Sequence, residues 1–134
     1  MDLFDRSAIA SVNSDYINTE LAIETLTEAL KKEKPNNGIF LHSDQGVQYT
    51  SWEFVNFCKD NGVIQSMSKA GCPYDNAPME RFYITFKNCF YYRYTFESVE
   101  QLDEMTKQYI NWYNYVRPHS TNNYMTPMEF RYRA

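Results

Sequence analysis

Apolar and polar positions along the chain follow first one period and then another, and the breaks between them carry caps, glycines and prolines. Leu21, Ala22, Leu26, Ala29 and Leu30 recur at helical spacing behind Asn18 or Thr19, either of which can cap the segment. Glu20 and Glu24 near its start and Lys31, Lys32 and Lys34 near its end complement the helix dipole, and Pro35-Asn36-Asn37-Gly38 stops it. The apolar run from Ile39 then reads as a buried strand that ends in an exposed acid, Asp44, before Gln45-Gly46 turns the chain. Thr50-x-x-Glu53 predicts a capping box for a helix over 50–61 with Phe54, Phe57 and Cys58 as its apolar stripe. Asn61-Gly62 gives a left-handed stop, and Val63 to Met67 reads as a second strand. The helix between them is then the crossover of a strand–helix–strand unit.

Residues 68–78 form a loop, mobile by its composition, in which Gly71 and Pro73 prevent regular structure. Asp75 or Asn76 can cap the helix that follows, with Pro78 in its first turn. Met79, Phe82, Phe86, Cys89 and Phe90 make that helix's buried face, whereas Glu80, Tyr83 and Lys87 share another. Tyr91 to Tyr94 breaks the pattern, and Ser98-x-x-Gln101 is a further capping box. Val99, Leu102, Met105, Tyr109, Trp112, Tyr113 and Val116 mark a long helix ending before Pro118. Asn122 and Asn123 lie in a loop, and Thr126-Pro127-x-Glu129 opens a last short helix. At the front, residues 1–6 read as a turn and Ser7 to Val12 as a short strand.

A length of 134 residues suits one domain with one modest core. Aromatic residues at 17% call for an aromatic-rich core or an exposed aromatic face. No apolar run approaches membrane-spanning length and the first residues carry no signal pattern, so the expected location is the cytoplasm, with no membrane partner. Cys58, Cys72 and Cys89 match no zinc spacing and read as free, buried thiols. The net charge of −4 argues against a nucleic-acid partner, because phosphate binding wants a basic surface.

Against that stands a pair of carboxylates. Between Asp44 at a strand end and Glu80 in a first helical turn lie 35 residues, enough for a helix and a strand that can return both acids to one sheet edge. Paired acids there suit two-metal phosphoryl chemistry, in which ions about 3.5–4 Å apart bind the attacking and leaving oxygens. Lys87, about two turns beyond Glu80, can meet a phosphate, and Tyr49 and Tyr83 can stack on bases. Singly, each residue has a plainer role. Asp44 can stabilise a turn, Glu80 can serve the helix dipole, Lys87 can be a solvated lysine, and the tyrosines can be core or rim. His42-Ser43-Asp44 is no triad, since strand neighbours point to opposite faces, and His119 after Pro118 reads as structural or incidental.

Taken together, the strings change the balance. His-Ser-Asp-Gln-Gly-Val-Gln-Tyr-Thr-Ser (42–51) resembles the second-aspartate motif of bacterial insertion-sequence transposases related to retroviral integrases. Ser-Met-Ser (66–68) with Tyr-Asp-Asn-Ala-Pro-Met-Glu (74–80) resembles their glutamate block, and the spacing of Asp44 and Glu80 fits. Tyr113-Asn114-x-x-Arg117-Pro118-His119 and Thr126-Pro127-Met128-Glu129 are similar to the family's C-terminal signature, and residues 2–6 to a hairpin near its front.

The resemblance implies an α/β, ribonuclease H-like integrase core, a mixed five-stranded sheet flanked by helices. It implies Mg²⁺- or Mn²⁺-dependent DNA cleavage at transposon ends and joining to target DNA. Asp44 and Glu80 are then catalytic metal ligands, and Lys87, Tyr49, Tyr83 and Arg117 are DNA contacts. The family's first aspartate lies on a central strand ahead of the segment that Asp2 resembles. Residues 1–134 are therefore expected to be the C-terminal portion of the core, lacking the first strand or strands and inactive alone. Asn88-Cys89 also stands where an acidic residue often follows the lysine, and residues 1–134 hold no match to the helix-turn-helix expected of such transposases. An alternative is a non-catalytic module that dimerises or binds a transposase, a homo-oligomer formed by strand exchange at the open sheet edge. A complete nuclease would need Asp2 or Asp15 to reach the metal.

Overall fold

Asn18 opens the first helix in the computed structural model, which describes every residue except 37 and 70–72. Its side chain accepts the Leu21 N–H at 2.9 Å, and α1 (Thr19–Glu33) ends where Lys34 turns left-handed and bonds back to the Leu30 carbonyl. β1 (Ile39–Ser43) and β2 (Val63–Met67) then pair in parallel, with Ile39 opposite Val63 and Ser43 opposite Met67. These are the only strands among the described residues.

The expected helix over 50–61 is two pieces, α2 (Val47–Thr50) and α3 (Trp52–Asp60). Ser51, not Thr50, is the cap of α3: its hydroxyl accepts the Phe54 N–H, while Thr50 belongs to the turn before. Both residues have the chemistry of a cap, and the geometry that lets Val47 start a turn leaves the extended backbone to Ser51. Gly62 at φ 67° supplies the left-handed stop after α3.

Residues 10–77 form one compact unit. Its core is Ala22, Leu26, Phe54, Cys58 and Val63, with Ile39 and Leu41 packed against it. The expectation of a buried strand holds for one face of β1 only. Phe40 is 76% exposed and its neighbour across the pair, Ile64, 52%, because α1 and α3 cover the opposite face and alternate residues point away from it.

The second unit joins residues 1–9 to residues 78–134. It contains α4 (Ala77–Cys89, apart from its first residue), α5 (Val99–Tyr115) and α6 (Pro127–Arg133). The single core expected from length is therefore two cores, the second built from Ala8, Phe82, Phe90, Tyr109 and Tyr113. Its rings meet edge-on or stacked, as Phe82 on Tyr113 at 4.9 Å and Phe90 on Tyr109 at 5.3 Å. Cys89 is exposed, not part of the buried face of α4, and Val99 and Trp112 of α5 and Val116 just after it are exposed as well. Cys58 is buried as expected, and Cys72 lies outside the described residues, as does part of the 68–78 loop.

Ser7 to Val12 is not a strand. A clasp of side chains holds this stretch instead. Asn114 bonds both backbone groups of Ala8, and Asn122 donates to the Asp5 carbonyl at 2.7 Å. The Asp5 carboxylate accepts the Ser7 N–H and the Arg131 Nε–H, and Arg131 also reaches Asp2 and Ser7 Oγ. With both backbone groups of Ala8 met by one side chain, that residue needs no ladder. Ser98 caps α5 as expected, but the Gln101 side chain reaches the Glu97 N–H, so the box is not reciprocal. Thr126 and Glu129 form the full box at α6.

Candidate functional site

Asp44 is the residue immediately after β1. Its Oδ1 accepts the Gly46 N–H at 2.9 Å, which closes the turn that follows the strand, and the side chain stays exposed. The turn role and an available carboxylate thus coexist. Around it the chain is tied to the residue just beyond β2. The Ser68 N–H donates to the Ser43 carbonyl at 2.9 Å, and Gln45 Nε2 donates to the Ser68 carbonyl at 3.0 Å. His42 lies 3.0 Å from Ser66 Oγ through Nδ1 and 3.0 Å from Ser68 Oγ through Nε2. His42 carries more than its sequence neighbours suggest. The signal lies in the parallel pairing, which sets His42 opposite Ser66.

Tyr49 is half-buried, its ring edge-on to Phe54 at 5.5 Å, and its carbonyl accepts from Gln65 Nε2. It is thus part of the wall of its unit. Asp75 accepts the Lys69 N–H at 3.2 Å, across the undescribed residues, and lies in the turn of tighter helix (Pro73–Asn76) that runs into α4.

In the other unit, Glu80 sits in the first turn of α4, exposed and with no ion-pair or hydrogen-bond partner among the described residues. Tyr83 and Lys87 follow on the same helical face, both exposed, with the Tyr83 ring edge-on to Phe82. Arg117 points inward. Its guanidinium lies over the Tyr113 ring at 5.7 Å and its Nη1 is 3.2 Å from His119 Nδ1. His119 is buried, and burial first and the Arg117 charge second push its pKa down. The structural reading of His119 is the one the geometry bears.

Asp2 and Asp5 are committed to Arg131, and Asp2 also takes the Phe4 N–H at 2.7 Å. Asp15 is exposed in the stretch before α1. Among the described residues no three His, Cys, Asp or Glu side chains gather as a metal site. As donors, Asp44 and Glu80 fit a hard cation, which takes carboxylate oxygens and keeps several waters. Two carboxylates alone would not complete such a cation's shell.

Charge is unevenly shared. Residues 10–77 hold nine acids against five bases, whereas residues 1–9 with 78–134 hold eight of each. The acidic excess therefore leaves the unit with Glu80, Lys87 and Arg117 balanced. No helix among the described residues is long and apolar enough to cross a membrane.

Comparison with known proteins finds relatives that match along nearly the whole chain. The chain is 36% identical over 131 residues to the transposase for insertion sequence element IS904 of Lactococcus lactis, covering 97% of this chain and 52% of that protein. It is 34% identical to the putative transposase InsK for insertion sequence element IS150 of Escherichia coli, covering 98% of this chain and 46% of that one. The chain thus spans about half the length of the curated relatives it matches. Among solved structures, the catalytic core domain of BIV integrase superposes with a TM-score of 0.72 at 19% identity, covering 96% of this chain and 80% of that one. A chain of a simian T-cell lymphotropic virus intasome gives 0.75 at 17% identity, covering 89% of this chain and 42% of that one. The fold is accordingly the ribonuclease H-like one of retroviral integrase cores, here with a small sheet. Two descriptions of the integrase core domain match, one over residues 61–127 and one over residues 1–73; since the second takes in more than half of the chain, the protein belongs to the integrase core domain family.

Proposed function

We propose that the chain is part of the catalytic core of an insertion-sequence transposase, acting in DNA strand cleavage and transfer with Asp44 and Glu80 as metal ligands. The observation that carries this is the placement of the two acids. Each is exposed at the end of a regular element, a strand for Asp44 and a first helical turn for Glu80, and neither is spent on a salt bridge. In a family whose cores work with a divalent metal, Mg²⁺ or Mn²⁺ would supply charge neutralisation at the phosphate and an activated attacking oxygen. Asp44 and Glu80 would hold it. Lys87 would meet a phosphate, and Tyr83 would stack on a base exposed beside it. Tyr49 and Arg117 are held in packing contacts, so their DNA roles need a side-chain rearrangement.

On this reading a further acid must join the two, and neither Asp2 nor Asp5 is available while Arg131 holds them. We therefore expect the chain to cleave no DNA by itself. Titration calorimetry with Mn²⁺ tests the assignment: Asp44→Asn and Glu80→Gln should each weaken binding, with the fold unchanged by circular dichroism. Binding indifferent to both would overturn it.

A second reading has its own observation. Phe40 and Ile64 form an uncovered apolar pair on the sheet, which suits a second copy of the chain docked or exchanged there. Light scattering decides it: a monomer over a broad concentration range removes this reading.

A further inference from the structure

Three residues that surround Asp44 in sequence all hold the same residue. Ser43 accepts the Ser68 N–H at 2.9 Å, Gln45 donates to the Ser68 carbonyl at 3.0 Å, and His42 Nε2 lies 3.0 Å from Ser68 Oγ. Ser68 itself is 7% exposed, and the His42 and Gln45 bonds to it are part-buried. Asp44 is thus the apex of a bracket whose two arms close on one buried serine. Its own backbone takes one more tie, from the Ser43 hydroxyl to its carbonyl at 2.9 Å.

Within this bracket His42 has the arm that reaches furthest. Its second ring nitrogen lies 3.0 Å from Ser66 Oγ, directly across the parallel pair, so one imidazole spans Ser66 on β2 and Ser68 just beyond its end. A neutral imidazole has one N–H and one lone pair, and a serine hydroxyl can donate or accept. Both bonds can therefore be made at once, one serine accepting and the other donating. The ring sits on the open face of the sheet, where no helix of its unit packs to fix it, and the hydroxyls do that work instead.

We infer that His42 is a positioning residue for Asp44, an inference that rests on the metal-ligand reading of Asp44 given above. By joining the ends of β1 and β2 through Ser66 and Ser68, it fixes the direction in which the chain leaves β1. The Asp44 carboxylate is then presented in one orientation before any ligand arrives. Such outer support costs metal affinity about 10–100-fold when it is removed from a metal site. His42 itself touches no reacting atom in this scheme.

The test uses the chain as it is. Amide hydrogen exchange is followed by NMR at Ser68, whose N–H closes the bracket, and at Gly46, whose N–H reports the Asp44 carboxylate. His42→Ala is expected to speed both by about tenfold, with amides of α3 such as Phe57 unchanged. Ser68→Ala should speed Gly46 to the same degree, and the double variant no further. His42→Gln, whose amide reaches toward the Nε2 position, should restore most of the protection. Should His42→Ala fail to fold, Ser68→Ala and His42→Gln carry the comparison. Wild-type exchange at Gly46 and Ser68 in a folded His42→Ala or Ser68→Ala chain overturns the inference, as does acceleration spread equally over α3. Mn²⁺ affinity separates the two layers. If Asp44→Asn abolishes binding and His42→Ala weakens it about 10–100-fold, both stand. If binding ignores Asp44→Asn, the ligand reading fails, while the exchange rates still decide whether His42 holds the loop.

Discussion

Asn114, near the end of α5, holds both backbone groups of Ala8: its Oδ1 accepts the Ala8 N–H and its Nδ2 donates to the Ala8 carbonyl, each at 2.9 Å. One side-chain amide does here what an adjacent strand would do in a sheet. Asn114 is 2% exposed, so water cannot take its place. Asn114→Ala strands two buried backbone groups, each costing about 1–3 kcal/mol. A loss of about 2–6 kcal/mol is expected in urea unfolding, and Asn114→Asp should be no milder, since it removes the donor and buries a charge. A loss below about 1 kcal/mol would show that the segment relaxes to other partners.

The same segment is held by a buried ion pair. Asp5 is 1% exposed and its carboxylate meets Arg131 Nε and the Ser7 N–H. Removing only the cation leaves a buried charge, so Arg131→Met is expected to cost about 3–5 kcal/mol. Replacing both, with Asp5→Asn and Arg131→Met together, should cost much less than the two single losses added. A double-mutant cycle measured by chemical denaturation checks this, and strict additivity would mean the pair is not coupled.

These clasps also mark the limit of what the sequence reveals. Local signals placed most elements: Asn18 and Ser98 cap where expected, Thr126 and Glu129 close their box, and the strands fall at residues 39–43 and 63–67. Asp44 and Glu80 sit at the strand end and helix start that the same signals predict. Asn114, Asn122 and Arg131 gave no such sign, because their partners lie 106, 117 and 126 residues away. A lone Asn or Arg in a helix or loop looks the same whether it faces water or a distant backbone. The apolar content of Ser7 to Val12 therefore read as strand. Phe40 misled for a related reason: periodicity shows which residues share a face, not which face is covered.

Tyr109 carries the one buried side-chain polar atom without a partner among the described residues, its hydroxyl. Burial is also the main reason its pKa is driven far above the usual tyrosine value. A hydroxyl that is desolvated and unpaired costs free energy, while the ring's packing on Phe86 and Phe90 stabilises the core. Tyr109→Phe keeps the ring and removes the cost. Thermal unfolding is expected to show unchanged stability or a gain of about 1 kcal/mol. A loss of more than about 1 kcal/mol would mean that the hydroxyl has a partner in solution.

His119 gives the fold a pH dependence of definite sign. Burial and the nearby Arg117 charge lower its pKa from 6.5, partly opposed by its bond to the Tyr113 carbonyl. The unfolded chain therefore takes up a proton at higher pH than the folded one. The neutral ring's contribution is whole above the unfolded value and is lost as pH falls from there through the lower folded value. The melting temperature should drop as pH falls from about 7.5 through 6.5 and below, and His119→Gln should flatten that slope. Glu129, also lowered, through its bonds to Thr126, acts only in the carboxylate range and so does not enter this window. A slope unchanged in His119→Gln would assign it to another group.

Lys87 and Tyr83 separate two ways of meeting DNA. Both are exposed on the face of α4 that carries Glu80, in the unit where bases balance acids. A lysine on a phosphate displaces a counterion, so its loss changes how affinity depends on salt. An aromatic ring on a base displaces none. Lys87→Ala should therefore weaken binding to a DNA duplex with a single-stranded end and reduce the slope of log affinity against log salt by about 1. Tyr83→Ala should weaken binding by about 1–3 kcal/mol and leave the slope unchanged. Fluorescence anisotropy over about 50–200 mM salt measures both. If Lys87→Ala lowers affinity with no change in slope, the lysine acts through packing on the helix and not on a phosphate. If neither variant changes binding, DNA does not meet this face of α4.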